Sequence, residues 1–283
     1  MDGRAEAPAA GTVLNALATG TGSAFAIDEY VRAAVQLGGD GIDGRVADEP
    51  DADARLIERA VELVLAEFAD DVTGARVETD ATVPIASGLK SSSAAANAVV
   101  LATLDALDAV EAVTREDAAR IGVQAARDVG VTVTGAYDDA SASMLGGLTV
   151  TDNTADTLLV RDEVTWDVVV WVPPEQAFSA NADVDRCERI APMADLVREL
   201  ALAGRYATAM TVNGFAFSAA LDRPTDPMIE ALPAADGVSL SGTGPSYVAV
   251  GEAAALDQVA TAWDDRPGTV IRTTTQTEGA RPL

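Results

Sequence analysis

A loop of small residues that runs directly into an apolar helix constrains this chain most. Residues 84–94 read PIASGLKSSSA, and alanines, valines and leucines continue the segment without a polar face. A helix that is apolar on all sides has to be buried. Its N-terminus would then direct free N–H groups and partial positive charge at the loop, which is an arrangement that suits phosphate oxygens.

Lys90 lies inside this loop and is the only lysine among 283 residues, since every other basic residue is an arginine. Gly88 lets the backbone approach a ligand, and the serines at 91–93 add hydroxyls. The segment has neither the Walker A nor the Rossmann glycine spacing. An ordinary turn followed by a capped helix explains the loop equally well, because serine is common at N-caps.

The charge balance excludes a general polyanion binder. The formal net charge is −26 at pH 7, and such a field repels nucleic acid and anionic membranes. Asp outnumbers Glu and the acids are scattered along the chain, a composition that looks halophilic and predicts a solvated acidic surface. With 48% hydrophobic residues the chain can bury a large core, and its length favours two medium domains.

The residue types that are missing restrict the chemistry. Cys187 is the single cysteine and the chain has no histidine, so we expect no intramolecular disulfide, no Cys/His zinc cluster and no Ser-His-Asp triad. Catalysis would depend on Asp, Glu, Lys, Arg or a metal. We see neither a leader pattern nor an apolar run of roughly 20 residues, and we expect a soluble cytoplasmic protein.

Hydrophobic periodicity predicts mixed α/β structure up to about residue 160. An amphipathic helix is the clearest element, because its apolar residues recur every three or four positions; a strand is favoured over a helix at 31–37. The predicted elements are extended structure at 12–37 with a break at 19–23, helix 53–68, strand 75–83, helix 93–107, helix 114–129 with a Thr114 cap, loop 131–147, and strands 148–151 and 157–161.

Beyond a boundary near residue 160 the pattern predicts a second domain, which divides the chain into 1–160 and 161–283. The predicted elements are strand 164–172, helices 193–202, 205–221 and 226–232, a strand pair around 241–244, helix 253–263 and strand 269–274. A succession of this β-α-β-β-α-β kind is typical of a ferredoxin-like fold.

Two further segments could carry chemistry. Asp138 and Asp139 are adjacent acids among the small and apolar residues of 134–147, an unusual place for surface carboxylates, so one of them is a candidate catalytic base. Asx-turn or helix-cap roles would also explain them. Residues 239–248 place a glycine turn between two apolar strands, which alone predicts only a loop.

Together these segments resemble the GHMP kinase superfamily, which is named after galactokinase, homoserine, mevalonate and phosphomevalonate kinases. The family pattern includes an N-terminal strand motif, a P-x-x-x-G-L-x-S-S-x-A phosphate loop, an acid before a G-G turn and a C-terminal glycine loop. Counterparts of all four occur here in order. Within the superfamily, residues 15–25, 88–94, 132–140 and 211–214 look most like the archaeal shikimate kinases.

The resemblance implies an α+β fold of two domains, namely an N-terminal mixed α/β domain with the phosphate loop and a C-terminal ferredoxin-like domain. It implies ATP-dependent phosphorylation of shikimate to shikimate 3-phosphate in aromatic amino acid biosynthesis. The alternatives are a GHMP kinase for another small alcohol such as homoserine or mevalonate, a non-catalytic nucleotide-binding protein, and an acidic scaffold protein whose loops are only caps and turns.

The resemblance also implies site residues. Asp139 would be the base, because it precedes Gly146 by the family's seven residues; Asp138 fits the spacing from Gly135 and stays the alternative. Lys90 would add positive charge. The implied ATP-binding residues are Pro84, Ile85, Ala86, Ser87, Gly88, Leu89, Lys90, Ser91, Ser92, Ser93 and Ala94.

For Mg²⁺ the resemblance implies Ser92 as the hydroxyl ligand, with Ser91 second. Several relatives complete the metal site with a helix carboxylate, but the corresponding residues here, 124–127, carry none, and Asp128 is only a weak substitute. The implied substrate contacts are Thr19, Gly20, Ser23 and Asn213. Shikimate carries a carboxylate, so an arginine or a cluster of N–H donors is expected in its pocket.

Overall fold

Two sheets organise the computed structural model, which describes residues 1–47, 49, 52–84, 87–175 and 182–283. The first sheet has the strand order β11-β1-β2-β4-β3, and β5 joins it by pairing with β2 and β6. Its strands are β1 (Asp2–Leu14), β2 (Thr21–Leu37), β3 (Ile42–Val46), β4 (Ala75–Ala81), β5 (Leu148–Asp152), β6 (Thr157–Asp162) and β11 (Arg281–Pro282).

The second sheet has the order β10-β7-β9-β8 and is antiparallel throughout. Its strands are β7 (Asp167–Val172), β8 (Gly237–Leu240), β9 (Tyr247–Gly251) and β10 (Thr269–Thr274). The described helices are α1 (Arg55–Phe68), α2 (Ser91–Ala106), α3 (Arg115–Val129), α4 (Tyr137–Leu145), α5 (Val184–Glu188), α6 (Ala191–Leu202), α7 (Tyr206–Ala220), α8 (Asp226–Ala231) and α9 (Ala253–Asp264), with a 3-10 helix at Val110–Ala112.

The helix after the phosphate loop is buried as its sequence predicts. Eleven of the sixteen residues of α2 are buried, and the helix lies directly on β1, where a Cβ at Gly3 would come within 2.1 Å of the Ala102 carbonyl oxygen. The helix begins at Ser91, two residues earlier than predicted. The three serines therefore form its first turn, and Lys90 becomes its cap residue.

The loop predicted at 131–147 is wrong in its second half, where the chain forms α4. Seven of the nine residues of this helix are buried. Its own buried residues are mostly alanines and serines with one methionine, so the sequence shows no polar face and no helical periodicity. Asp138 and Asp139 thus lie in the first turn of a buried helix.

The other long elements are close to their predicted bounds. Residues 31–37 are strand, so the helix alternative is wrong there, and Thr114 caps α3 by accepting a hydrogen bond from the Asp117 N–H. The sequence did not predict β3, α5, β11 or the first part of β1. None of the helices in the described part of the chain is long and apolar enough to cross a membrane.

The architecture is α+β. In the second sheet the order β10-β7-β9-β8, with helices between β7 and β8 and between β9 and β10, is the ferredoxin-like arrangement. Residue 160, the predicted domain boundary, lies within β6, which pairs with β5 in the first sheet, and the C-terminal β11 returns to pair with β1. We propose the end of β6 at Asp162 as the boundary, with β11 as a return to the first domain.

Candidate active site

Three segments that are distant in sequence meet around one cavity of about 670 Å³. They are the loop before α2, the first turn of α4 and the turn between β8 and β9. Their lining residues include Gly88, Lys90, Ser91, Ser92, Ser93, Asp138, Asp139, Gly242 and Thr243. The fold therefore brings together the segments that the sequence singles out separately.

The β8–β9 turn holds the loop before α2 in place. The Ser241 hydroxyl donates to the Gly88 carbonyl at 2.8 Å, and the Ser246 N–H donates to the Ser87 carbonyl at 3.2 Å. Gly88 has a φ of +87°, and a Cβ there would lie 2.5 Å from the Ser241 carbonyl oxygen. Only glycine meets both the backbone conformation and the close contact.

The N-terminus of α2 faces the cavity without a cap from its own chain segment. Lys90, the cap residue, is in the left-handed conformation with a φ of 65°, and its own side chain does not cap the helix. The first turn, Ser91 to Ser93, borders the cavity. Its N–H groups and the helix dipole therefore provide positive potential at the cavity wall.

Lys90 and Asp139, which both line the cavity, form an ion pair. Lys90 Nζ lies 2.9 Å from Asp139 Oδ1, and the two side chains are only 9% and 15% exposed. The pair is not aligned as a hydrogen bond, so Asp139 Oδ1 has no hydrogen-bond donor among the described residues. This oxygen is itself buried, so its attraction to the Lys90 ammonium is shielded from solvent.

Asp138 is more deeply buried, at 5% exposure, and is hydrogen-bonded to Asn153. The Asn153 Nδ2 donates to Asp138 Oδ1 at 2.7 Å, and the Asp138 N–H donates to Asn153 Oδ1 at 3.1 Å. Burial, and then the neighbouring Asp139 charge, raise the pKa of Asp138 to about 7, against the opposing effects of Lys90 and Asn153. The two adjacent acids therefore have different environments.

The remaining residues of the predicted ATP loop lie around this arrangement. Ser92 is exposed at the cavity, while Ser87, Leu89 and Ala94 are buried behind it. Pro84 is exposed and does not border the cavity, and Ile85 and Ala86 lie outside the described residues.

The four predicted substrate contacts do not border this cavity. Asn213 is buried, and its amide accepts from the Asn15 N–H at 2.9 Å and donates to the Ser239 hydroxyl at 3.1 Å. Ser23 is buried in β2, and Thr19 and Gly20 lie in the preceding turn. Their substrate role stays a prediction.

Asn15 borders the cavity together with Ala16 and Leu17 of the same turn. Its Nδ2 donates to the Gly242 carbonyl at 2.9 Å, which joins the β1–β2 turn to the β8–β9 turn. Sequence reasoning missed Asn15 as a site residue, although it begins the N-terminal motif. It also missed Asn153, which lies in an unremarkable turn after β5.

Comparisons with known proteins agree with this geometry. The model of the GHMP kinases N terminal domain matches residues 55–147. The chain is 61% identical over 283 residues to a shikimate kinase of Halobacterium salinarum, with 99% of each chain covered. It is 50% identical over 282 residues to a shikimate kinase of Methanothrix thermoacetophila, covering 99% of this chain and 96% of the relative.

A solved structure shows the same fold. The homoserine kinase of Cytophaga hutchinsonii superposes with a TM-score of 0.78 at 18% identity, covering 100% of this chain and 97% of that one. The acidic composition of a halophile agrees with the relative from Halobacterium. The chain belongs to the GHMP kinases, in the family of the archaeal shikimate kinases.

Proposed function

We propose that this chain transfers the γ-phosphoryl group of ATP to a hydroxyl of shikimate, which gives shikimate 3-phosphate and ADP. The observation that carries the proposal is the ion pair of Lys90 with Asp139, at 2.9 Å, beside the open N-terminus of α2. The identity of 61% over the full length to a shikimate kinase supports the choice of substrate.

The first turn of α2 would bind the phosphates at its end of the cavity. Backbone N–H groups at Ser91 to Ser93 and the dipole of the sixteen-residue helix would face the β- and γ-phosphates. Lys90 would contribute its charge from the same end. In phosphoryl transfer such positioning and charge neutralisation provide most of the catalysis.

Asp139 would act as the base. Its carboxylate would accept the proton of the attacking hydroxyl while the new O–P bond forms and the bond from the γ-phosphorus to the bridging oxygen of ADP breaks. Lys90 would stay close to both the carboxylate and the transferred group. Asp138 is less suited to this role, because Asn153 already donates to its carboxylate at 2.7 Å.

The residues present fit a Mg²⁺ ion that ATP brings with it. Mg²⁺ prefers oxygen ligands, keeps several waters and needs only one or two protein ligands. Ser92 offers an exposed hydroxyl at the cavity, and no group of three or more acidic or metal-binding side chains occurs in the described ranges to form a separate cage. When bound, Mg²⁺ would neutralise phosphate charge, with Ser92 as its protein ligand and Ser91 as the alternative.

A coupled assay of ADP release in molar KCl tests the proposal, with shikimate, homoserine and mevalonate as separate acceptors. We expect release with shikimate and product identified as shikimate 3-phosphate. Release with homoserine or mevalonate alone would overturn the substrate assignment. ATP binding without phosphorylated product from any of the three would identify a nucleotide-binding protein instead.

A further inference from the structure

Asn153 uses both ends of its side-chain amide on the same neighbour. It follows β5 and is 2% exposed. Its Nδ2 donates to Asp138 Oδ1 at 2.7 Å, while its Oδ1 accepts from the Asp138 N–H at 3.1 Å and from the Thr151 hydroxyl at 2.7 Å. The amide therefore holds the carboxylate and the backbone of Asp138 at the same time.

The helix that carries the acid pair depends on this contact for its cap. Ala136, the cap residue of α4, has a φ of 54° and has no side-chain oxygen to offer. The first N–H groups of a helix need acceptors when they are buried. Asn153 Oδ1, from another segment of the chain, supplies the acceptor that a serine or aspartate at the cap would normally supply.

The backbone of Asn153 links the same point to two further segments. Its N–H donates to the Gly20 carbonyl at 2.8 Å, and its carbonyl accepts from Arg127 Nη2 at 3.3 Å. On the other side of Asp138, a Cβ at Gly22 would lie 2.3 Å from Asp138 Oδ2. The Asp138 carboxylate is thus wedged between β2 and Asn153, with little room to rotate toward a ligand.

We propose that Asn153 is a positioning residue that fixes the Asp138 carboxylate and the first turn of α4, so that Asp139 faces Lys90 and the transferred group. Asp138 then acts through orientation and charge and does not receive the substrate proton. The inference rests on the proposed kinase function and deepens it, because it divides the roles of two adjacent acids. The charged groups that face Asp138 are Asp139 and Lys90, and the neutral Asn153 amide donates a hydrogen bond to it.

Exchanging donor and acceptor tests this inference. In Asn153→Asp a second carboxylate replaces the amide donor against Asp138, and we expect kcat for shikimate to fall by about 10²-fold or more with KM changed much less. Adding Asp138→Asn restores one amide and one carboxylate with their roles exchanged. We expect the double variant D138N/N153D to recover kcat to within about tenfold of the parent.

Ala155→Asp is the matched control, because it adds the same charge two residues later at an exposed position and removes no side-chain hydrogen bond. We expect its kcat to stay within about twofold of the parent. N153D with activity near the parent, or a double variant no more active than N153D, would overturn the inference. The second result would also follow if Asp138 were the base, since no exchange with position 153 can restore a missing base.

Thermal unfolding in molar KCl provides a readout that needs no substrate. We expect N153D to lower Tm by at least about 3 °C relative to A155D, and D138N/N153D to regain most of the loss, because paired sites in contact are not additive. An unchanged Tm in N153D, or no recovery in the double variant, would contradict the contact. Failure of the parent to phosphorylate shikimate would instead contradict the proposed function and would leave this Tm pattern as expected.

Discussion

The N-termini of α2 and α4 have similar backbone geometry but different surroundings. Both helices follow a cap residue in the left-handed conformation, Lys90 with a φ of 65° and Ala136 with a φ of 54°, and neither cap side chain bonds its own helix. The α2 terminus opens into the cavity. The α4 terminus is closed by Asn153 Oδ1.

The difference indicates which terminus binds a ligand and which one holds a residue. Free N–H groups with serines and a lysine beside them suit a phosphate, whereas a terminus satisfied from within the protein gives its first turn a fixed orientation. Asp138 is hydrogen-bonded to Asn153, the residue that closes the α4 terminus. Asp139, the next residue, pairs with Lys90 at the open α2 terminus. We therefore propose that the α2 end provides the anion site and that the α4 end positions the acid that would accept the substrate proton.

Asp139→Asn should have the largest effect on activity. Loss of the proposed base should lower kcat for shikimate by about 10²–10⁴-fold. Asp138→Asn is the matched control, because its amide oxygen can still accept from Asn153, and we expect it to lose much less. Equal losses in the two variants, measured in the coupled ADP-release assay, would show that the acids do not differ as their environments indicate.

Lys90→Met should have the next largest effect, because it removes the charge at the open terminus and keeps a side chain of similar length. We expect kcat/KM for ATP to fall on the order of 10²-fold. Lys90→Arg keeps the charge and requires the same left-handed backbone, so it should fall between Lys90→Met and the parent. Activity of Lys90→Met at the parent level would remove this lysine from the site.

Gly88→Ala should sharpen the comparison through stability. The added Cβ would lie 2.5 Å from the Ser241 carbonyl oxygen at a φ of +87°, and we expect a loss of about 3 kcal/mol or more. Gly204→Ala is the matched control, because Gly204 has a φ of +73° with nothing within 4 Å, and it should cost about 1 kcal/mol. Similar Tm values for the two variants in molar KCl would mean that the β8–β9 turn does not hold the loop.

The smallest effect concerns the pH dependence of stability at the closed terminus. Because the folded protein raises the pKa of Asp138 from 3.8 to about 7, ionising this carboxyl destabilises the folded state as pH rises between those values. Asp138→Asn removes that cost. Its stability relative to the parent should therefore increase from pH 5 to about 7.5, by at most about 1.4 kcal/mol per pH unit, and then level off. A constant difference in Tm across this range would contradict the raised pKa.

Local patterns in the sequence predicted the open terminus well. The buried α2 carries a strong signal, because an all-apolar helix has few alternative structures, while the glycines at 88 and 242 predict turns and no more. The family resemblance then indicated how the segments meet. The left-handed conformation of Lys90 and its pairing with Asp139 depend on contacts between distant segments, which periodicity does not report.

The closed terminus was harder to predict for the same physical reason. The helix α4 is itself rich in small residues and is buried on most sides, so it has no amphipathic stripe, and the acceptor for its Asp138 N–H comes from a residue fifteen positions later. Asn153 itself stands in a T-D-N-T turn whose residue types are common in turns. Only the three-dimensional contact distinguishes it from an ordinary turn residue.

A crystal structure with a non-hydrolysable ATP analogue, Mg²⁺ and shikimate tests the central claim most directly. We predict the β- and γ-phosphates within hydrogen-bond distance of the N–H groups at Ser91 to Ser93, with the Asp139 carboxylate at a shikimate hydroxyl and Asp138 still bonded to Asn153. Phosphates bound away from the α2 terminus, or Asp138 instead of Asp139 at the hydroxyl, would contradict the account.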